Sequence, residues 1–136
     1  MITFNNGNRP TLNTAFNLIS EYHNINDLIK IDDVVLTYNN FADYCIRYSW
    51  TYIVVVDGRF AGLVSFLNIE ADQAEIHFVN MPYISALQCY RIAKHIIQEM
   101  TTLNILVGYN INKNIVRLAK LLGFKEESKN KYVYRR

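Results

Sequence analysis

With 136 residues, 51% hydrophobic and 19% charged, the chain can build one real core and is too apolar for a disordered segment. Its net charge of +2 and 5 glycines and 2 prolines exclude a polyelectrolyte or a linker-rich array, and one domain over residues 1–136 is expected. No apolar run approaches the roughly 20 residues that span a bilayer, so no membrane contact is expected. The start MITFNNGNRP has neither a basic lead nor an apolar export core. Cys45 and Cys89 form no CxxC pair and read as small buried hydrophobes in a reducing compartment, which makes the expected setting cytoplasmic.

The charge is unevenly spread. Residues 1–112 carry 6 basic and 10 acidic groups, residues 113–136 carry 8 basic and 2 acidic. The second segment is either a solvated face or an end that meets phosphates or an acidic protein surface. Aromatic residues do not interleave with these charges in a nucleic-acid-binding motif, and nucleic-acid binding is not expected.

In chain order, Thr11 is a candidate N-cap, followed by Leu12, Ala15, Phe16, Ile19 and Tyr22 at helical spacing. Ile25, Leu28 and Ile29 predict a further turn of helix. Phe41, Ala42, Cys45 and Ile46 predict another helix, starting near Asn39 and Asn40. Residues 52–56 are β-branched and aromatic, hence a strand. Asp57–Gly58 is a strong hairpin signal, residues 60–69 form the returning strand, 70–73 a polar turn and 74–81 a third strand. Pro82 ends that strand because it has no N–H for the ladder.

A helix is predicted from about Ser85 to near Met100, with Ala86, Cys89, Tyr90, Ala93, Ile96, Ile97 and Met100 on one stripe and Gln88, Arg91, Lys94, His95 and Glu99 facing water. Residues 105–109 predict a fourth strand. An asparagine cluster then opens an amphipathic helix lined by Ile115, Leu118, Ala119 and Leu122. Gly123 suits the left-handed position at its end, Phe124 the hydrophobic contact beside it, and residues 132–134 an edge-like final strand. The sequence alone therefore predicts an α/β sandwich, a mixed sheet with flanking helices, with N-terminal helices over 11–49 and the sheet over 52–134.

The stretch ILVGYNINKNIVRLAKLLGF is the most specific. A strand enters a turn whose amides point from a helix N-terminus, and such an end holds anions. Its N-x-x-I-x-x-L-x-x-x-x-G-F pattern, through Asn112, Leu118, Gly123 and Phe124, resembles the closing motif of the GNAT superfamily of acyl-CoA-dependent N-acyltransferases. The hairpin VDGRFAGLVSF is similar to that family's as well. The resemblance covers roughly residues 52–134 and implies a single-domain mixed sheet whose two central parallel strands splay apart. It also implies that acetyl-CoA binds with its pantetheine arm in the gap, and that an amine accepts the acyl group.

Carried onto this chain, the resemblance places the donor against Val79 and Met81 on one strand and Asn112 after the other. The pyrophosphate would lie at Ser85, Ala86 and Leu87 where the long helix starts. Two departures stand out. The family's glycine-rich pyrophosphate loop reads MPYISALQ here, without glycine, and Ala119 holds the place where many members carry a proton-donating tyrosine. Tyr109, like Tyr83 and Tyr90, is near enough in sequence to replace it.

For the base, alternation along residues 74–79 puts Ile76 and Phe78 on one face and Glu75, His77 and Val79 on the other. Glu75 or His77 could deprotonate an amine, directly or through water, although a hydrogen-bonded strand histidine and a rim carboxylate satisfy the same pattern. Asn112 or Asn114 fits a helix N-cap as well as a cofactor contact. No His, Cys, Asp and Glu set has metal-ligand spacing. Two functions therefore stand open: an N-acyltransferase, or a GNAT-like domain that binds or assembles without turnover. The second suits the resemblance of VGYNINKNIVRLAKLLGF to small tailed-phage proteins, some of them internal to the virion, with virion proteins as partners.

Overall fold

The computed structural model describes residues 1–29, 33–109 and 113–136, built around a seven-stranded sheet. The strands are β1 (Ile2–Asn6), β2 (Ser49–Val56), β3 (Arg59–Glu70), β4 (Gln73–Asn80), β5 (Ile105–Tyr109), β6 (Lys125–Ser128) and β7 (Lys131–Arg135). Their order is β1-β2-β3-β4-β5-β7-β6. β4 and β5 pair in parallel, and every other neighbour pair is antiparallel. A parallel pair needs a crossover, which the helix α3 (Ala86–Glu99) supplies.

Helices cover both faces. α1 (Arg9–Ser20), a short 3-10 turn (Ile25–Asp27) and α2 (Phe41–Tyr48) pack on one side, where Leu12, Ile19, Phe41 and Cys45 meet Leu63, Val79 and Met81. α3 and α4 (Lys113–Leu122) cover the other, where Ile92, Ile96 and Ile97 meet Phe66, Ala74 and Leu106. The two cores confirm the alternation read in β4: Ile76 and Phe78 belong to the α3/α4 side and Val79 to the α1/α2 side.

Local chemistry explains most boundaries. Asp57 and Gly58 take positive φ values of 50° and 81°, the two-residue turn that matches strand twist. The α1 N-cap is Asn8, three residues before the expected Thr11. Thr11 instead closes a capping box, its N–H donating to Asn8 Oδ1 at 3.0 Å. Pro10 fits the first turn, where no N–H is needed. α1 ends before Tyr22, which is exposed, as is Ile46 on α2. α3 buries Cys89, Ile92, Ala93, Ile96 and Ile97; Ala86, expected on that stripe, is exposed.

Two strands lie outside the expectation. β1 carries only Ile2 and Phe4 as inward residues, and Phe4 stacks on His95 at 5.2 Å. β6 is exposed throughout and polar, as suits a protected sheet edge. β7 is consequently an inner strand between β5 and β6, not the edge. On the α1/α2 face the buried hydroxyls of Thr51 and Ser65 lie 2.9 Å apart, and Ser49 Oγ reaches Thr51 Oγ1 at 2.6 Å while donating to the Cys45 carbonyl at 2.7 Å.

Candidate functional site

The β4–β5 ladder is short. Gln73, Ala74 and Glu75 pair with Ile105, Leu106 and Val107, and no further pair forms. β4 nevertheless continues against β3 up to Asn80, and β5 against β7 up to Tyr109. The strands therefore part after Glu75 and Val107. Alternate residues of a strand address alternate neighbours. Because the Met81 N–H donates to the Ala61 carbonyl at 2.9 Å, the odd-numbered backbone groups face β3. Those of Phe78 and Asn80 turn to the gap.

A cavity of about 560 Å³ fills the opening, within the usual range for small-molecule sites. Ile76, His77 and Phe78 form its β4 wall, Gly108 and Tyr109 its β5 wall, and α3 and α4 contribute mainly aliphatic side chains. Tyr132 also lines it; burial, then the Glu126 carboxylate that accepts its hydroxyl at 3.1 Å, raises the phenol above its ordinary pKa.

Of the expected catalytic residues, His77 and Tyr109 line this opening, and Glu75 lies next to His77 at the last bonded pair of the ladder. His77 Nε2 lies 3.4 Å from Glu75 Oε2, both side chains about a quarter exposed. The pleat directs them to the α1/α2 side, and Asp27 reaches the cavity from that side. Tyr109 ends β5 at the mouth, half exposed. Asp27 and Asn130 were not anticipated: they lie in turns far from His77 in sequence, and no spacing rule links them.

The residues expected to hold the donor are more dispersed. Val79 and Met81 are buried with side chains in the α1/α2 core. Ser85 caps α3, accepting the Gln88 N–H at 3.2 Å while Gln88 Oε1 accepts the Ser85 N–H at 3.1 Å. The amides of Ala86 and Leu87, both exposed, have no acceptor within the helix. Asn112 lies outside the described residues.

A thioester donor of the coenzyme A type meets one fit and one misfit. Asn80 Oδ1 is buried and accepts no hydrogen bond from a described residue. Its neighbour Cys89 is a weak donor whose thiol pKa burial raises and Asn80 lowers. An acceptor left so beside unpaired strand groups suits an extended amide-bearing arm. The pyrophosphate end fits less well. Residues 81–85 are pinned to β3: the Tyr83 hydroxyl donates to the Phe60 carbonyl, and the Arg59 guanidinium lies 3.4 Å above the Tyr83 ring. That ring occupies a turn where close phosphate approach would need bare backbone. Among the described residues no cluster of side chains could hold a metal, and no helix is long and apolar enough to cross a membrane.

No protein-family profile matches the chain, and no curated protein matches it in sequence. Solved structures match in fold. Spermidine N-acetyltransferase from Vibrio cholerae, in complex with CoA and spermine, superposes with a TM-score of 0.68 and 17% identity, covering 98% of this chain and 92% of that one. Aminoglycoside acetyltransferase AAC(6')-Ib with coenzyme A gives 0.76 and 11%, over 100% and 95%. Ribosomal-protein-S5-alanine acetyltransferase from Vibrio fischeri gives 0.71 and 14%, over 97% and 90%. The fold is that of the GNAT acetyltransferases.

Proposed function

We propose that this chain is an N-acyltransferase that takes an acyl group from acyl-CoA, acetyl-CoA being the simplest donor, and delivers it to an amine. The observation that carries this reading is the early end of the β4–β5 ladder, which opens a cavity beside Glu75, His77 and Tyr109. An amine arriving from the α1/α2 side meets His77 and Glu75, which take its proton directly or through water as nitrogen attacks the thioester carbon. Strand groups turned to the gap at Phe78 and Asn80 polarise the carbonyl. The C–N bond forms and the C–S bond breaks. The leaving thiolate is protonated by the Tyr109 hydroxyl, in the role that Ala119 cannot fill. Val79 to Met81 support the gap wall, the Ser85–Leu87 end of α3 faces the donor's phosphates, and Asn112 keeps the arm-binding role that the sequence resemblance implies.

The pinned, glycine-free turn at 81–85 favours a second reading, in which the fold binds or assembles without turnover. Its basic C-terminal segment would then meet an acidic protein surface, such as that of a virion protein. Calorimetric titration with acetyl-CoA, followed by CoA release over an amine panel, separates the two. Binding with turnover supports the enzyme, and a folded protein with neither supports assembly.

A further inference from the structure

The cavity is more polar at one end than at the other. Asp27, His77 and Tyr109 stand on the α1/α2 side, whereas Ala93, Ile97, Ala119, Leu122 and Phe124 close the α3/α4 side. Their level in the fold follows from helix and strand rise. α3 starts beside the end of β4 and runs back about 18 Å from Ser85 to Ile97. β4 covers nearly the same distance, about 20 Å, between Asn80 and Ala74. Ile97 therefore lies level with the stretch where β4 and β5 are still bonded, and shares a core with Ala74 and Leu106. Leu122 and Phe124, at the far end of α4, join that core. The apolar part of the cavity thus lies at the apex of the splayed strands, away from the α3 N-terminus.

Small residues keep this end open. Gly108 falls on the same face of β5 as Leu106, and a Cβ built on it would meet no atom of the described residues within 4 Å. Ala93 and Ala119 line the same space from the two helices. The space at Gly108 is therefore open among the described residues and is walled mainly by aliphatic groups, with the Tyr132 ring beside Gly108 on β7 and its hydroxyl already engaged by Glu126.

We propose that the donor carries an acyl chain longer than acetyl, a medium-length aliphatic tail lying in the apex beneath Gly108 and Ala119. This rests on the donor reading above: with the polar arm along Phe78 and Asn80 and the thioester near Ile76 and His77, the tail continues into the apolar end. An amide-bearing arm there would lose its hydrogen bonds, whereas an alkyl chain loses only water.

Calorimetry with CoA, acetyl-CoA, hexanoyl-CoA and octanoyl-CoA tests it, on the wild type, Gly108→Ala and Gly108→Val. Each buried methylene tightens binding about fourfold, so partial burial already makes hexanoyl-CoA at least ~10-fold tighter than acetyl-CoA. The added side chains enter open space, and the hexanoyl-to-acetyl ratio is expected to fall with Gly108→Ala and further with Gly108→Val. Should Gly108→Val fail to fold, Ala119→Val is the second filling variant. Equal affinities in the wild type, or a ratio that neither filling residue moves, overturn the proposal and leave the donor reading standing. No binding of CoA or any thioester overturns both.

Discussion

Glu75 and His77 are two residues apart on a strand, so one pleat repeat sets both side chains on the α1/α2 side of the sheet, with their polar ends 3.4 Å apart. A base of this kind contributes about 10²–10⁴-fold to a rate, and Glu75→Gln or His77→Ala is expected to lower turnover by that order with the melting temperature little changed. Equal rates in wild type and both variants would remove them as essential bases. Cys45 shows the opposite use of a titratable group. Burial pushes its thiol pKa up to about 11 from an ordinary 9.0, against smaller opposing contacts from Thr51 and Ser49. The folded chain holds a proton that the unfolded chain releases, so this stabilisation is complete below pH 9 and fades as pH rises toward 11. Alkylation of Cys45 at pH 8 in native buffer is expected to be at least ~10-fold slower than after unfolding, because the thiolate is the nucleophile. Rapid labelling of the native protein would contradict that burial. The facing of Glu75 and His77 was legible from alternation alone. Asp27 and Asn130 were not, since only tertiary structure brings these turns to the cavity.

The closing unit was legible because its stop is chemical. Gly123 has φ 101°; its N–H donates to the Lys120 carbonyl at 3.1 Å and the Phe124 N–H to that of Ala119 at 2.9 Å, the paired bonds of a Schellman end. A Cβ at Gly123 would lie 3.5 Å from the Tyr134 ring, so space is adequate and the cost is in the backbone. Gly123→Val should destabilise the domain by about 1–2 kcal/mol, read as a lower denaturation midpoint at unchanged slope. An unchanged midpoint would refute the strain. The missed elements lacked such markers. β1 has just two inward side chains, and the charged β6 has no apolar face, so neither carries a period-2 signal. The α1 start was misplaced because Asn8 and Thr11 cap reciprocally, and either is a good N-cap by type.

Across the whole molecule, the basic C-terminal segment is less free than its composition implies. Arg135 bonds Glu127 at 2.7 Å, holding that carboxylate below its ordinary pKa, and Lys131 lies 3.9 Å from it. Arg136 donates from Nε to the Leu103 carbonyl at 2.8 Å and from Nη2 to those of Ile97 and Met100, closing the end of α3. The exposed cations include Arg117, Lys120, Lys125 and Lys129. If the segment docks on an acidic protein, neutralising Lys125 and Lys129 together should weaken association and flatten its salt dependence, whereas Arg136→Ala should act mainly on stability. A salt slope indifferent to the lysines would exclude that surface.

The hydroxyl pair of Thr51 and Ser65 also selects among wrong foldings. A one-residue slip between β2 and β3 would send one or both hydroxyls to the opposite face of the sheet, among Phe66 and Leu106, where each unpaired group costs about 1–3 kcal/mol. Two small polar side chains thereby act as a key that only one alignment of apolar strands accepts. Thr51→Val should destabilise the more, since it removes the partner of Ser65, whereas Ser65→Ala leaves Thr51 bonded to Ser49; the double variant should recover part of the Thr51→Val loss. A fully additive cycle would reject the key. What the double variant should not recover is uniqueness: with the key removed, strands this uniformly apolar are expected to refold more slowly and to leave a fraction trapped in shifted pairings.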